Sequence, residues 1–162
     1  MYRLCLEGSG RLFGMKKRSI RAFLFLVGGA CIGQGADQVI GCLKEVQGGV
    51  TVRRGVETMA AHEGLHLQVQ DIVETSSNGR AGLILKDGTR ISLGANSELR
   101  LDRFAYEPVD ARFALLLRLM RGVMIYISGK IAQFSPESVH IETPVAVVGH
   151  RGTTIGIFLE AM

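Results

Sequence analysis

The sequence predicts an all-β domain of short strands joined by tight turns. Three observations lead there. Apolar pairs recur every eight residues, as Leu83/Leu85, Ile91/Leu93 and Leu99/Leu101. Inside each pair the chain alternates with Ile84, Ser92 or Arg100, the period of two that buries one face of a strand. Turn residues separate the pairs: Asn78-Gly79, Asp87-Gly88 and Gly94-Ala95-Asn96. This spacing fits a meander, a roll or a β-solenoid equally.

Strand signals begin at Gly48, with β-branched Val50-Thr51-Val52. After the three recurrent strands, residues 102–112 read as a connection, because Pro108 cannot donate to a ladder. Ala114-Leu115-Leu116-Leu117 is compatible with the start of a short helix. Alternation from Leu117 to Ile127 predicts two strands meeting near Gly122 at a bulge or kink. Ser128-Gly129-Lys130 is a turn. Val139 to Thr143 alternates cleanly, Pro144 interrupts it, and Val145 to Val148 resumes. Gly149 to Gly152 turns the chain into a last strand, Thr154 to Leu159.

Charge separates the N-terminus from the rest. The first 35 residues carry six bases (Arg3, Arg11, Lys16, Lys17, Arg18, Arg21) and one acid, Glu7. The whole chain has 19 Lys and Arg against 15 Asp and Glu, so 19 − 6 = 13 bases and 15 − 1 = 14 acids remain, net −1. A duplex binder needs concentrated cation to displace counterions from phosphate, so no nucleic-acid partner is expected.

The basic run Lys16 to Arg21 precedes an apolar stretch, Ala22 to Ile32, and then small residues, Gly33-Gln34-Gly35-Ala36. That order is the order of a secretory signal peptide. The stretch is shorter than the about 20 apolar residues that cross a membrane, although an uncleaved anchor stays open. Residues 15–36 are thus a signal peptide or membrane anchor. Residues 1–14 are read as an extension upstream of a start at Met15, 37–44 as a short linker, and 45–162 as one β domain. Ala30 before Cys31 leaves lipidation open, and Cys42 alone makes no internal disulfide. Membrane contact is expected only through this N-terminal segment, uncleaved or lipidated.

The block Glu142-Thr143-Pro144-Val145-Ala146-Val147-Val148-Gly149-His150-Arg151-Gly152-Thr153-Thr154 resembles the TP-A-x-x-G-x-RGT signature that closes FecR-type domains. Leu65, Val69, Asp71, Ile72 and Thr75 resemble the family's L-x-x-GD-x-I-x-T block, with Gln70 where glycine is common. Asp87-Gly88-Thr89, Asn96-Ser97-Glu98-Leu99, Arg121-Gly122-Val123 and Ser128-Gly129-Lys130-Ile131 continue the likeness, and His150 stands where an apolar residue is usual. The resemblance implies a solenoid-like roll of stacked strands in the bacterial periplasm or envelope. It implies a binding or signalling module with no known chemistry and no cofactor. The expected partner is an envelope protein or glycan; an assembly scaffold without a ligand switch is the alternative. The chain resembles the free-standing periplasmic module, without the cytoplasmic sigma-factor segment or the receptor-contact domain of the family's regulators.

The fold-signature residues are Asp71, Thr75, Asp87, Gly88, Thr143, Pro144, Gly149, Arg151, Gly152 and Thr153. Arg151 is the candidate binding residue. Flanked by Gly149 and Gly152, its guanidinium offers a planar fork to a carboxylate or carbonyl, or else pins the turn onto Asp71 or a strand carbonyl. Asp71 reads as a turn cap. His62 and His66 have a metal spacing only on a helix, which Gly64 opposes, so no metal site is expected. Ser76, Ser77 and Ser97 lack a nucleophile-elbow context, so no enzyme is expected.

Overall fold

A computed structural model describes residues 38–149 and 153–159. Of these, 62% lie in strands and 7% in helices, which establishes the all-β class. The first strands are β1 (Val39–Gln47), β2 (Val50–Arg54), β3 (Glu57–Ala60), β4 (His66–Gln68) and β5 (Ile72–Thr75). Then come β6 (Arg80–Leu85), β7 (Arg90–Leu93), β8 (Glu98–Glu107) and β9 (Arg112–Ile127). A short helix α1 (Lys130–Phe134) and a 3-10 turn (Pro136–Ser138) precede β10 (Val139–Glu142), β11 (Val147–Gly149) and β12 (Thr154–Leu159).

The strands form one curled, half-barrel sheet in the order β3-β2-β5-β8-β9-β7-β6-β1-β4. Among the described residues nearly all neighbours are antiparallel; the parallel pair is β10 with Leu115 to Arg118 of β9, while β10 and β11 are antiparallel. This antiparallel half-barrel does not bear out the solenoid-like stacking of strands. The physical reason is β9. Its first half pairs with β8 and β10, and its second half pairs with β7 and β12. A 16-residue strand shared by both halves makes the sheet continuous.

Gly122 sets the bend in β9. Its φ is +88°, and a Cβ there would come within 2.5 Å of Ser97 Cα and 2.7 Å of Asn96 O. Only glycine meets both demands. The expected kink at Gly122 is therefore present, but inside one strand rather than between two.

The polar corners lock the two halves together. Thr75 Oγ1 donates to Gly94 O at 2.6 Å and accepts from Ser97 N at 2.8 Å. Ser97 Oγ accepts from Val123 N at 2.9 Å and donates to Val123 O at 3.1 Å. Asn78 Oδ1 accepts from Ser76 Oγ and from Gly49 N. The Thr75 and Ser97 hydroxyls each work as donor and acceptor, which offsets the cost of taking them out of water.

The recurrent pairs all face the core: Leu83, Leu85, Ile91, Leu93, Leu99 and Leu101 are each buried, beside Leu117, Leu119, Met124 and Ile141. Each such side chain contributes about 1.5–3 kcal/mol of burial. Three expectations are corrected. Residues 37–44 are not a linker from Val39 onward, because Ile40 and Leu43 enter the core. Residues 102–112 continue β8 and start β9, leaving only Pro108 to Ala111 as the turn. Ala114 to Leu117 is strand, held by β8 on one side and β10 on the other.

Candidate functional site

The signature residues of the first blocks build turns. Asp71 is fully buried between β4 and β5. Its carboxylate accepts Arg54 Nε at 2.8 Å, Arg54 Nη2 at 2.7 Å and Gln68 N at 2.8 Å. Arg54 Nη2 also donates to His66 O at 3.0 Å. Asp71 thus caps its turn, and the guanidinium on it belongs to Arg54. Gln70, at the family's glycine position, adopts φ 70° in the same turn.

Asp87 does similar work between β6 and β7 with neutral donors. Its carboxylate accepts Thr89 N at 3.1 Å and Thr89 Oγ1 at 2.7 Å, and its carbonyl accepts Lys130 N at 2.8 Å. Gly129 passes so close that a Cβ would meet Thr89 N at 2.4 Å. Tyr126 is fully buried beside this turn. Burial, with the nearby Asp87 charge, pushes the pKa of its hydroxyl up to about 12.

In the closing block, Thr143-Pro144-Val145-Ala146 is the hairpin turn from β10 to β11. Thr143 Oγ1 donates to Ala146 O and accepts from Ala146 N, both at 3.0 Å. Pro144 presets the backbone of the turn. Gly149 ends β11, and Thr153 O accepts Ser128 N at 2.9 Å. His150, Arg151 and Gly152 lie outside the described residues, as does Cys31.

His62 lies in the loop between β3 and β4 and His66 on β4, so they share no helix. Among the described residues no group of three or more His, Cys, Asp and Glu could hold a metal. No helix of the described residues is long and apolar enough to cross a membrane.

The solvent face of the β5-β8-β9 region carries two rows of charge. The first is balanced: Arg53 meets Glu74 at 3.0 Å and Glu98 at 3.9 Å, and Arg121 meets Glu98 at 3.4 Å. The second is not. Arg100 of β8 stands directly opposite Arg118 of β9. Both reach Asp102, Arg100 Nη2 at 3.4 Å and Arg118 Nη1 at 3.0 Å. Arg118 also forks onto Glu142, through Nε at 3.0 Å and Nη2 at 2.8 Å. That fork, then the charge of Asp102, raises the Arg118 pKa above its ordinary value. Arg103 joins the group without an ion-pair or hydrogen-bond partner among the described residues. Arg100, Asp102, Arg103 and Arg118, with Gly55, Gln70, Ile72 and Leu116, line an open cleft of about 520 Å³.

Sequence reasoning missed Arg54, Arg100, Asp102, Arg103 and Arg118. A local signal existed in Arg100-Leu101-Asp102-Arg103-Phe104, where two polar residues in a row break the alternation.

The sequence profile of the family described as FecR protein matches residues 71–161, more than half of the chain. No curated protein and no solved structure matches it.

Proposed function

The chain belongs to the FecR family, a regulatory family not known for catalysis, and on that premise we propose an exported, non-enzymatic module that binds a protein or glycan partner in the bacterial cell envelope. One observation carries the binding part. The buried signature carboxylates are engaged in turns, whereas the guanidinium cleft on the solvent face holds more positive than negative charge. The leader from Lys16 to Ala36 supports export, and the family supports a role in signalling. Arg151 remains part of this reading as a second contact.

Fractionation of cells expressing a C-terminally tagged chain, with intact-mass analysis, tests export. The expected product is processed near residues 33–36 and recovered from the periplasm, or lipidated at Cys31. Unprocessed product confined to the cytosol would sink the reading. Loss of partner recovery on Arg151→Ala, in a folded variant, is the expected result for that contact.

A second reading, an assembly scaffold without a ligand switch, draws on Val147 of β11 and Phe158 of β12. Both side chains stand largely exposed, 67% and 69%. Exposed apolar side chains on outer strands suit permanent contacts. A stoichiometric complex that survives salt would favour it over reversible binding.

A further inference from the structure

We propose that the cleft over Asp102 binds the carboxylate side chains of an acidic peptide segment. The inference rests on the reading of this chain as a binding module and names the chemistry of the partner.

The cleft originates in a β-bulge. Along β8 the pairing with β9 shifts between Leu101, opposite Leu117, and Arg103, opposite Leu116. Asp102 is the extra residue. A bulge reverses the facing of the residues beyond it, and so re-aims side chains. Leu99 and Leu101 point inward, and so does Phe104, while Arg100, Asp102 and Arg103 all point outward. Without the bulge, Arg103 would sit on the core side.

The result is electrostatically incomplete. Like charges directly opposite on neighbouring strands are destabilising. Arg100 and Arg118 form such a pair, bridged only by Asp102. The bridge is imperfect. Asp102 Oδ2 lies near Arg118 but meets no donor at a hydrogen-bonding angle, and Arg100 Nε is shielded from solvent with no acceptor. A shielded guanidinium N–H without a partner is costly, and the rest of the Arg100 side chain, 40% exposed, stays open to an incoming oxygen. Counting the lining residues, three arginines against one aspartate give 3 − 1 = +2; including Glu142 gives +1. Because the chain beyond Gly35 is net −1, any attraction for an anion is local to this cleft and not a general field.

The lining also selects among anions. Guanidinium forks match planar carboxylates in two-point contacts. Ile72 and Leu116 supply an apolar floor for the methylenes of Glu or for a flanking aliphatic residue. No lining residue is aromatic, so neither nucleobases nor sugar rings find a stacking platform. An acidic peptide fits these features better than an acidic glycan.

The test uses the purified protein and fluorescence anisotropy with a short labelled peptide of alternating Glu and Ala, beside a Gln/Ala counterpart. The Glu peptide is expected to bind and the Gln peptide to fail. Arg103→Gln, which breaks no hydrogen bond or ion pair among the described residues, should weaken binding about tenfold while leaving the unfolding midpoint in place. Arg80→Gln removes the same charge from the exposed start of β6 and should change affinity less than about twofold. Equal losses in the two variants, or equal binding of the Gln peptide, would overturn the proposal. So would oligogalacturonate that binds more tightly than the Glu peptide and loses affinity on Arg103→Gln, since that outcome assigns the cleft to a glycan. A chain left unprocessed in the cytosol that still binds the Glu peptide would refute export alone.

Discussion

Asp71 and Asp102 are both aspartates held by arginine in one half of the sheet, yet they are opposites. Asp71 is fully buried, and one guanidinium grips both its oxygens at 2.7–2.8 Å while a backbone N–H completes the set. Asp102 is partly exposed and shared between two guanidiniums at 3.4 Å and 3.0 Å. A third arginine, Arg103, stands beside it with no partner among the described residues. The first site is closed, in that the carboxylate is saturated by the donors around it. The second has donors left over. A closed carboxylate–guanidinium pair holds a turn; an open one can hold a ligand.

The largest expected effect breaks the closed site. Asp71→Ala orphans Gln68 N and the Arg54 fork, and should cost about 2–4 kcal/mol, toward the lower end because Arg54 can turn to solvent. The equivalent change at the surface, Asp102→Ala, should cost less than about 1 kcal/mol. Chemical denaturation followed by circular dichroism reads both. A double-mutant cycle sharpens the contrast, with coupling of about 1–3 kcal/mol for Arg54/Asp71 and below about 0.5 kcal/mol for Arg118/Asp102. Equal couplings would erase the distinction between the two sites.

The Asp87 turn extends the comparison, since it is closed by neutral donors and resists a second charge. Burial holds Tyr126 beside it protonated, with a pKa of about 12 against 10.0 for a free tyrosine. A group that the fold keeps protonated contributes stability that is fully present below about pH 10 and declines as the pH rises toward about 12. Near about pH 11 the loss should be about 1.4 kcal/mol. Tyr126→Phe removes this slope, so the stability gap between wild type and variant should change as the pH rises from about 9 to about 11.5, to the disadvantage of wild type. Parallel curves would mean that Tyr126 ionises as it does in the unfolded chain.

The strands at the centre of the domain were legible because their signal is local. Leu83/Leu85, Ile91/Leu93 and Leu99/Leu101 show period two within a few residues, and all of them are buried. The turn role of Asp71 was legible from its position before Ile72. Its partner was not, because Arg54 is 17 residues away and meets it only once β2 and β5 pair. β1 was obscured because Gly41-Cys42 interrupts Val39-Ile40, close after the apolar stretch Ala22 to Ile32. The arginine cleft was hidden for a third reason. Its bulge is a mismatch between β8 and β9, and strand register is a property of the pair rather than of either segment. Arg118 looked like an ordinary outward residue of Leu117-Arg118-Leu119 until the register set it opposite Arg100.

The smallest and most discriminating effect concerns Asp102→Asn. In a site that only holds the fold together, removing the shared carboxylate charge can only weaken it. In an open site Asp102 competes with the ligand for Arg100 and Arg118, and neutralising it raises the local charge by one. The substituted amide keeps the size of the side chain and one acceptor oxygen, so the bulge should persist with a stability change within about 0.5 kcal/mol. Affinity for the Glu/Ala peptide should then rise about threefold, with a steeper dependence on salt than wild type. Anisotropy titrations at two salt concentrations measure both quantities. Weaker peptide binding by a folded Asp102→Asn variant would mean that the carboxylate orients the arginines and that the cleft is closed after all.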